Sequence, residues 1–158
     1  MPYLIDGHNL IPKLGLRLDQ TDDEQDLLVR LLEFCRLRRT QVEVYFDGAP
    51  AGSAPVRRVG AVTAHFVRLG SSADAALEAR LAKLGRAARN WTLVSSDGRV
   101  QQAGRAAHAA VLSSEQFALE MAAARTAQAE KAKHAGDPLS PEEVDAWLAE
   151  FKGRTPKG

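Results

Sequence analysis

The chain has 158 residues, of which 45% are hydrophobic and 26% charged, and its formal net charge is +1. These values predict one globular domain with a hydrophobic core, exclude a disordered or fibrous chain, and give no whole-chain signal for nucleic acid. No segment approaches the ~20 apolar residues of a membrane span, and the lone Cys35 excludes a disulfide within the chain, so we expect a cytoplasmic protein without membrane contact.

The hydrophobic pattern predicts alternating strands and helices. In chain order the predicted elements are strand 2–6, helix 21–39, strand 41–46, loop 48–58, strand 61–67, helix 71–89, strand 91–96, strand 108–114 and helix 114–133. A further helix within residues 136–152 has Ser140 as its N-cap, and the tail 153–158 is expected to be disordered. Strands separated by helices of this length predict an α/β fold with a mostly parallel sheet covered on both faces.

Helix 21–39 opens with a capping box formed by Thr21 and Glu24. Acidic residues crowd its first turn and arginines its last turn, which is the arrangement that the helix dipole favours. We therefore interpret these acids as structural rather than as metal ligands. Cys35, on the same helix, is expected to be a buried structural thiol.

An Asp-Gly pair follows three of the predicted strands, with the aspartates at Asp6, Asp47 and Asp97. Asp-Gly is a common turn dipeptide, so a turn or a helix cap explains each pair taken alone. Their recurrence at three strand ends favours a shared site, because sites in such sheets form outside the carboxyl ends of the strands. Asp74, in the first turn of helix 71–89, is expected at the same edge.

Clustered carboxylates raise one another's pKa unless a cation neutralises them. An all-oxygen cluster suits Mg²⁺ or Mn²⁺ rather than zinc, which prefers His and Cys. The histidines do not have metal-ligand spacing, and of these only His8, beside Asp6, is a candidate substrate contact. The scattered histidines are His8, His65, His108 and His134.

A divalent ion at a partly open carboxylate site most often handles phosphate. Residues 30–105 hold thirteen Lys and Arg against six Asp and Glu, so this part of the chain carries a positive field that the acidic residues 113–151 offset. The candidates for backbone phosphate contacts are Arg57, Arg58, Arg68, Arg99 and Arg105. The pattern predicts metal-dependent hydrolysis of a nucleic acid phosphodiester.

Other phosphate chemistries match the sequence less well. It contains neither a Gly-rich phosphate loop with Lys-Ser/Thr nor a G-x-G-x-x-G motif, which argues against common nucleotide-binding folds. A haloacid-dehalogenase-like phosphatase needs a second Asp two residues after the nucleophile, where His8 stands. A serine nucleophile elbow is also absent from the sequence.

Four stretches, YLIDGHNLI, VEVYFDG, GSSADAALEARL and LVSSDGRVQ, resemble in order and spacing the YacP-like NYN domain family of the PIN-like nuclease superfamily. The resemblance covers roughly residues 2–120, and LSPEEVDAWLAEF is similar to the C-terminal helix of the family. It implies a PIN-like three-layer α/β/α fold for residues 1–135, with helix 136–152 packed on the same domain.

The resemblance also implies an Mg²⁺- or Mn²⁺-dependent endoribonuclease that acts on single-stranded RNA, with mRNA on the ribosome as the expected context. Asp6, Asp47, Asp74 and Asp97 match the acidic catalytic and metal-binding site. Asn9 and Ser96 match polar residues beside the first and last aspartates, so they join His8, Arg57, Arg58 and Arg99 as expected substrate contacts. Hydrolysis by metal hydroxide would leave a 5′-phosphate and a 3′-hydroxyl.

One position departs from the family pattern. The third stretch commonly contains Ala-Asp-Asp in the family, whereas here it is Ala73-Asp74-Ala75. Glu78, one helical turn after Asp74, is a candidate replacement. The missing acid keeps open a non-catalytic RNA- or ribosome-binding protein, and a phosphatase of small phosphoesters is a third alternative.

Overall fold

The computed structural model supplies the fold. The parts of the chain that it describes are residues 1–16, 23–49 and 54–134. Thr21 of the predicted capping box, the predicted helix within 136–152 and the tail 153–158 lie outside the described residues. The chain divides after Ala124 into two units. The first contains the whole sheet, and the described part of the second is the C-terminal end of one helix.

The described residues form six strands, five α-helices and two short 3-10 helices. The strands and α-helices are β1 (Tyr3–Asp6), α1 (Gly7–Leu10), α2 (Asp23–Arg38), β2 (Val42–Ala49), β3 (Val56–Val59), β4 (Val62–Arg68), α3 (Ala73–Leu84), β5 (Thr92–Val94), α4 (Gly98–Ala106), β6 (Ala110–Leu112) and α5 (Ser114–His134). The 3-10 helices lie at Ile11–Leu14 and Gly85–Asn90. None of these described helices combines the length and apolar character needed to cross a bilayer.

The strands form one sheet in the order β3-β4-β2-β1-β5-β6. Every neighbouring pair is parallel except β3 and β4, which confirms the predicted mostly parallel sheet. The chain passes from β1 to β2 on one side and later returns to β5 on the other side. The carboxyl end of β1 is therefore the topological switch point, where ligands bind in open α/β sheets.

Helices cover both faces of the sheet, because side chains alternate between the faces along each strand. On one face Ile5, Val44 and Phe46 join the core of α2 and the first part of α5. On the other face Leu4 and Tyr45 join the core of α3 and α4. The predicted three-layer α/β/α arrangement is confirmed. Cys35 is buried, as predicted, and burial raises its pKa to about 11.

The prediction of a flexible loop at 48–58 is wrong at both of its ends. Strand β2 continues through Asp47 and Gly48 to Ala49, and Val56–Val59 is the edge strand β3. A two-residue turn joins β3 to β4, and Gly60 in this turn has a φ of +57°, which glycine adopts at little cost. The Gly, Pro and Ala content of the segment concealed this hairpin.

The three Asp-Gly pairs need glycine for different reasons. A Cβ on Gly7 would press into the ring of Phe46 and lie 3.0 Å from the carbonyl oxygen of Tyr45, so Gly7 allows the first turn of α1 to pack against β2. Gly48 has a φ of +72°, in the left-handed region. Gly98 has neither constraint, since a Cβ there would meet no atom within 4 Å.

We predict that Gly7→Ala lowers the free energy of unfolding by about 1–3 kcal/mol, because the added methyl overpacks a buried contact. Gly98→Ala is the matched control, and its stability should be unchanged or raised by less than about 1 kcal/mol. Urea unfolding of both variants measures the difference. Equal stability of the two variants would contradict the close approach at Gly7.

Candidate functional site

The carboxyl edge of the sheet brings together the ends of β1, β2 and β5 and the first turns of α3 and α4. Asp6, Asp47, Asp74 and Asp97 all lie at this edge. The charges of Asp74 and Asp47 raise the pKa of Asp6, and the charges of Asp97 and Asp47 raise the pKa of Asp74, in both cases after the effect of burial. The structure thus brings the four predicted aspartates into one electrostatic cluster.

Asp6 is the most buried of the four acids. It is the last residue of β1, with only 6% of its surface exposed. Burial and then the Asp74 and Asp47 carboxylates raise its pKa to about 6, against opposing effects of the Asn9 backbone amide and of His8. The ionised form of such a carboxyl group lowers the stability of the folded protein unless a cation compensates its charge.

Asp47 lies in a β-bulge. Phe46 pairs with Phe66 and Ala49 with Arg68, so β2 contains one extra residue relative to β4. Bulges next to active sites re-aim side chains, and here the Asp47 carboxylate leaves the sheet and accepts a hydrogen bond from the backbone amide of Ala73. This bond joins the end of β2 to the first residue of α3.

Asp74 and Asp97 lie at the N-termini of two helices. Asp97 is the N-cap of α4, and its Oδ1 accepts from the backbone amides of Arg99 at 2.9 Å and Val100 at 3.2 Å. Asp74 lies in the first turn of α3. Burial, followed by the charges of Asp97 and Asp47, raises the pKa of Asp74, and Arg99 opposes this effect.

The donor set suits a hard divalent cation, because it consists of carboxylate oxygens. Burial, and after it the neighbouring carboxylates, raise the pKa values of Asp6 and Asp74, and a cation would oppose both effects. The positions of these side chains do not by themselves form a metal site. Among the residues that the structure describes, no three or more His, Cys, Asp or Glu side chains are grouped closely enough to hold a metal ion. The burial and mutual repulsion of the aspartates therefore favour a bound cation. The described side chains do not form a closed coordination shell around it.

Glu78, the candidate replacement for the missing acid, is engaged by Arg99. Its two carboxylate oxygens accept from Nε of Arg99 at 2.8 Å and from Nη2 of Arg99 at 3.1 Å. This bidentate pair joins α3 to α4 beside Asp74 and Asp97. Arg99 remains 72% exposed, so its guanidinium lies at the mouth of the site.

Asn9 and Ser96 hold the edge together. Asn9 Oδ1 accepts from the backbone amide of Ser96 at 2.7 Å and from the hydroxyl of Ser114 at 3.0 Å. Ser96 Oγ donates to Glu115 and accepts from the backbone amide of Ser114. These bonds fasten α1 and the start of α5 to the segment that leads into Asp97.

His8 lies between α2 and the end of β2. Its Nε2 is 2.8 Å from Glu24 Oε2, and its Nδ1 accepts from the backbone amide of Asp47 at 3.3 Å. The hydrogen bond with Glu24 is the main cause that raises the pKa of His8. One carboxylate oxygen of Glu24, which the sequence assigns to a capping box with Thr21, bonds this histidine; Thr21 lies outside the described residues, so the capping box stays a prediction.

The predicted arginines are spread over the edge and beyond it. Arg68 pairs with Ala49 directly after the bulge, and Arg99 lies on the first turn of α4. Arg57 and Arg58 are on β3, which β4 separates from β2, and they pair with Ala64 and Thr63 in mid-strand. Arg105 lies in the last turn of α4, at the opposite end of the helix from Asp97.

Sequence reasoning missed several residues that shape the site. Ser72 caps α3 by accepting from the backbone amide of Ala75, and Ser95 Oγ accepts from the backbone amide of Asp97. A serine just before a helix is a recognisable cap signal. The contact of Glu24 with His8 leaves no such signal, because the two residues are separated by 16 positions.

The fold and the acidic edge define a PIN-like α/β domain, and a family model identifies its class. The model of the YacP-like NYN domain matches residues 3–152, and the chain belongs to this family. Membership confirms the predicted family and makes the chain a nuclease-type, RNA-related protein.

Two crystal structures of Rae1 (YacP) from Bacillus subtilis are similar to the chain. One, of a mutant, gives a TM-score of 0.67 at 21% sequence identity, over 87% of this chain and 84% of that chain. The other gives a TM-score of 0.65 at 21% identity, over 98% of this chain and 95% of that chain. At this identity the likeness shows a shared fold. No curated protein matches the chain.

We predict that Asp6→Asn stabilises the metal-free protein at neutral pH. The folded-state pKa of Asp6 is raised from 3.8 to about 6, so wild type loses stability as pH rises through this window, by up to about 3 kcal/mol. Asn cannot ionise, so the stability gain should be largest near pH 8 and vanish near pH 4. Urea unfolding in EDTA measures it, and a gain that does not change with pH would contradict the assignment.

Proposed function

We propose that the chain is a divalent-metal-dependent endoribonuclease that hydrolyses phosphodiester bonds in single-stranded RNA. The observation that carries the proposal is the buried Asp6, whose pKa is raised to about 6 amid other acids at the switch point of the sheet. Stability alone does not explain four carboxylates gathered there. A bound cation would relieve their repulsion, and family membership supports RNA as the substrate class.

In this proposal Asp6, Asp74 and Asp97 supply oxygen ligands for Mg²⁺ or Mn²⁺, and Asp47 acts as a further ligand or orients the others. When bound, such a cation lowers the pKa of a water, polarises the phosphoryl oxygen and stabilises the leaving oxygen. Magnesium is commonly held by one or two carboxylates, with water and substrate phosphate completing its shell. A site of this kind needs no preformed group of three acids, so cation and RNA would bind together.

A basic surface beside the site supports a path for the RNA backbone. The chain has no Asp or Glu from Gly48 to Ala73, but this stretch contains Arg57, Arg58 and Arg68. Arg68 adjoins the Asp47 bulge. Arg57 and Arg58 lie on β3, the outermost strand on this side of the sheet, and extend the basic surface away from the site. Arg99 at the mouth of the site supplies a further phosphate contact.

The cellular context is part of the same proposal. The net charge of +1 implies weak long-range attraction of RNA. A partner that delivers the RNA would compensate for this, and we propose mRNA presented by the ribosome in the cytoplasm.

A second candidate, an RNA-binding protein without catalysis, is favoured by two observations. Ala75 stands where the family pattern has an acid, and both carboxylate oxygens of Glu78 are bonded to Arg99. Salt-dependent RNA binding with no metal-dependent turnover would identify this alternative. Hydrolysis of generic phosphomonoesters would instead identify a phosphatase.

We expect wild type to cleave single-stranded RNA in Mn²⁺ and to stop in EDTA. Asp6→Asn should lower kcat by about 100-fold or more, since cation stabilisation of the transition state amounts to several kcal/mol. Glu120→Gln, an exposed acid on α5, is the control and should match wild type. Cleavage that persists both in EDTA and in Asp6→Asn would refute the proposal.

Arg68→Gln should weaken RNA binding and flatten its salt dependence. Each lost phosphate contact lowers the slope of log K against log salt by about 0.7 for a single strand. Arg86→Gln, in the 3-10 helix at the opposite end of the sheet, is the charge-matched control. Fluorescence anisotropy at several salt concentrations measures both slopes. An equal change in the two variants would show that Arg68 acts through net charge alone.

A further inference from the structure

The histidine beside Asp6 has both ring nitrogens engaged by protein groups. Nε2 lies 2.8 Å from Glu24 Oε2, and Nδ1 lies 3.3 Å from the backbone nitrogen of Asp47. The ring also packs 5.4 Å from that of Phe46. His8 therefore links α1 to α2 and to the bulge of β2, in a position where a substrate contact was expected.

The partners of His8 define its tautomer. A backbone N–H can only donate, so Nδ1 must accept and carries no proton. The proton then lies on Nε2, where it is donated to the Glu24 carboxylate. A carboxylate that fixes the tautomer and orientation of a histidine in this way is typical of groups that support an active site.

The amide that His8 accepts from belongs to the bulge. The extra residue of a bulge is left without a ladder partner, so its backbone N–H must find another acceptor, which at an exposed position is either a side chain or water. His8 Nδ1 supplies that acceptor for Asp47, while the carboxylate of Asp47 accepts from Ala73. Asp47 is thus held at both its backbone and its side chain.

We propose that His8 and Glu24 are a positioning pair that fixes the Asp47 bulge and so orients the Asp47 carboxylate towards Asp6 and Asp74. His8 is in this assignment neither a substrate contact nor a proton carrier. The catalytic consequence rests on the proposed function, whereas the structural part, the anchoring of the Asp47 amide, does not.

Three substitutions at His8 separate the roles of its two nitrogens. In His8→Asn the side-chain oxygen replaces Nδ1 and keeps the acceptor for Asp47. In His8→Gln the longer side chain keeps the donor to Glu24 and loses that acceptor. His8→Ala loses both bonds, and all three variants lose the contact of the ring with Phe46, so the comparison of His8→Asn with His8→Gln separates the hydrogen bonds from the loss of the ring.

The first measurement is hydrogen exchange of the Asp47 amide by NMR, in protein without metal or RNA. We expect exchange to accelerate by about tenfold in His8→Ala and His8→Gln, the equivalent of one hydrogen bond, and to stay near wild type in His8→Asn. Glu24→Ala should accelerate it by a smaller factor. Asp26→Ala, an exposed acid on the same helix, is the control and should have no effect.

The second measurement is steady-state RNA cleavage. We expect kcat to fall by about 10- to 100-fold in His8→Ala and His8→Gln, as for other residues that orient active-site ligands, with KM unchanged and substantial rescue in His8→Asn. A general loss of stability would not produce this split between kcat and KM or the rescue by one amide and not the other.

Several results would overturn the assignment. A raised KM in all three His8 variants would make His8 a substrate contact, and an equal loss of kcat with unchanged Asp47 exchange would make it a proton carrier. Wild-type exchange in His8→Ala would remove the structural basis. If wild type cleaves no RNA, the proposed function fails, and the exchange pattern alone then decides whether the positioning pair exists.

Discussion

The burial of one carboxylate, that of Asp6, is the constraint on which the site depends. Asp6 ends the central strand, with β2 and β5 on either side and helices over both faces. The fold removes this group from water and places the Asp74 and Asp47 carboxylates near it, so its pKa is raised to about 6 against the opposing effect of His8. An arrangement that opposes stability in this way is expected where a charged ligand later compensates it.

A different local backbone feature positions each of the other three acids near Asp6. The bulge turns Asp47 out of β2, the first turn of α3 presents Asp74, and the N-cap position of α4 presents Asp97. Helix N-termini carry a partial positive charge, and backbone amides there bind Asp47 and Asp97. The helix ends thus offset part of the negative charge, while burial and then the neighbouring carboxylates still raise the pKa values of Asp6 and Asp74.

Much of the fold and of the acidic edge follows from sequence. Apolar strands that alternate with amphipathic helices predict a parallel sheet. Because parallel strands place their carboxyl ends at one edge, the sequence alone groups Asp6, Asp47 and Asp97. The β3–β4 hairpin was missed because its Gly- and Pro-rich approach has the composition of a loop. The position of Arg57 depends on strand order, which local pattern does not specify.

Contacts between residues that are distant in the sequence also could not be predicted. Glu78 meets Arg99 across 21 positions and His8 meets Glu24 across 16 positions, so each pair is created by the packing of separate helices. Glu78 illustrates the consequence. Its spacing from Asp74 predicts a replacement ligand, whereas the structure gives it a guanidinium partner on the neighbouring helix.

The most direct test of the account is anomalous diffraction from crystals soaked in Mn²⁺ with a non-cleavable single-stranded RNA. The account predicts a peak at the carboxyl edge, within about 2–2.5 Å of an oxygen of Asp6 and of at least one other of the four aspartates. Bound RNA with no peak among these acids would contradict the central claim that the buried carboxylate is there to hold a cation.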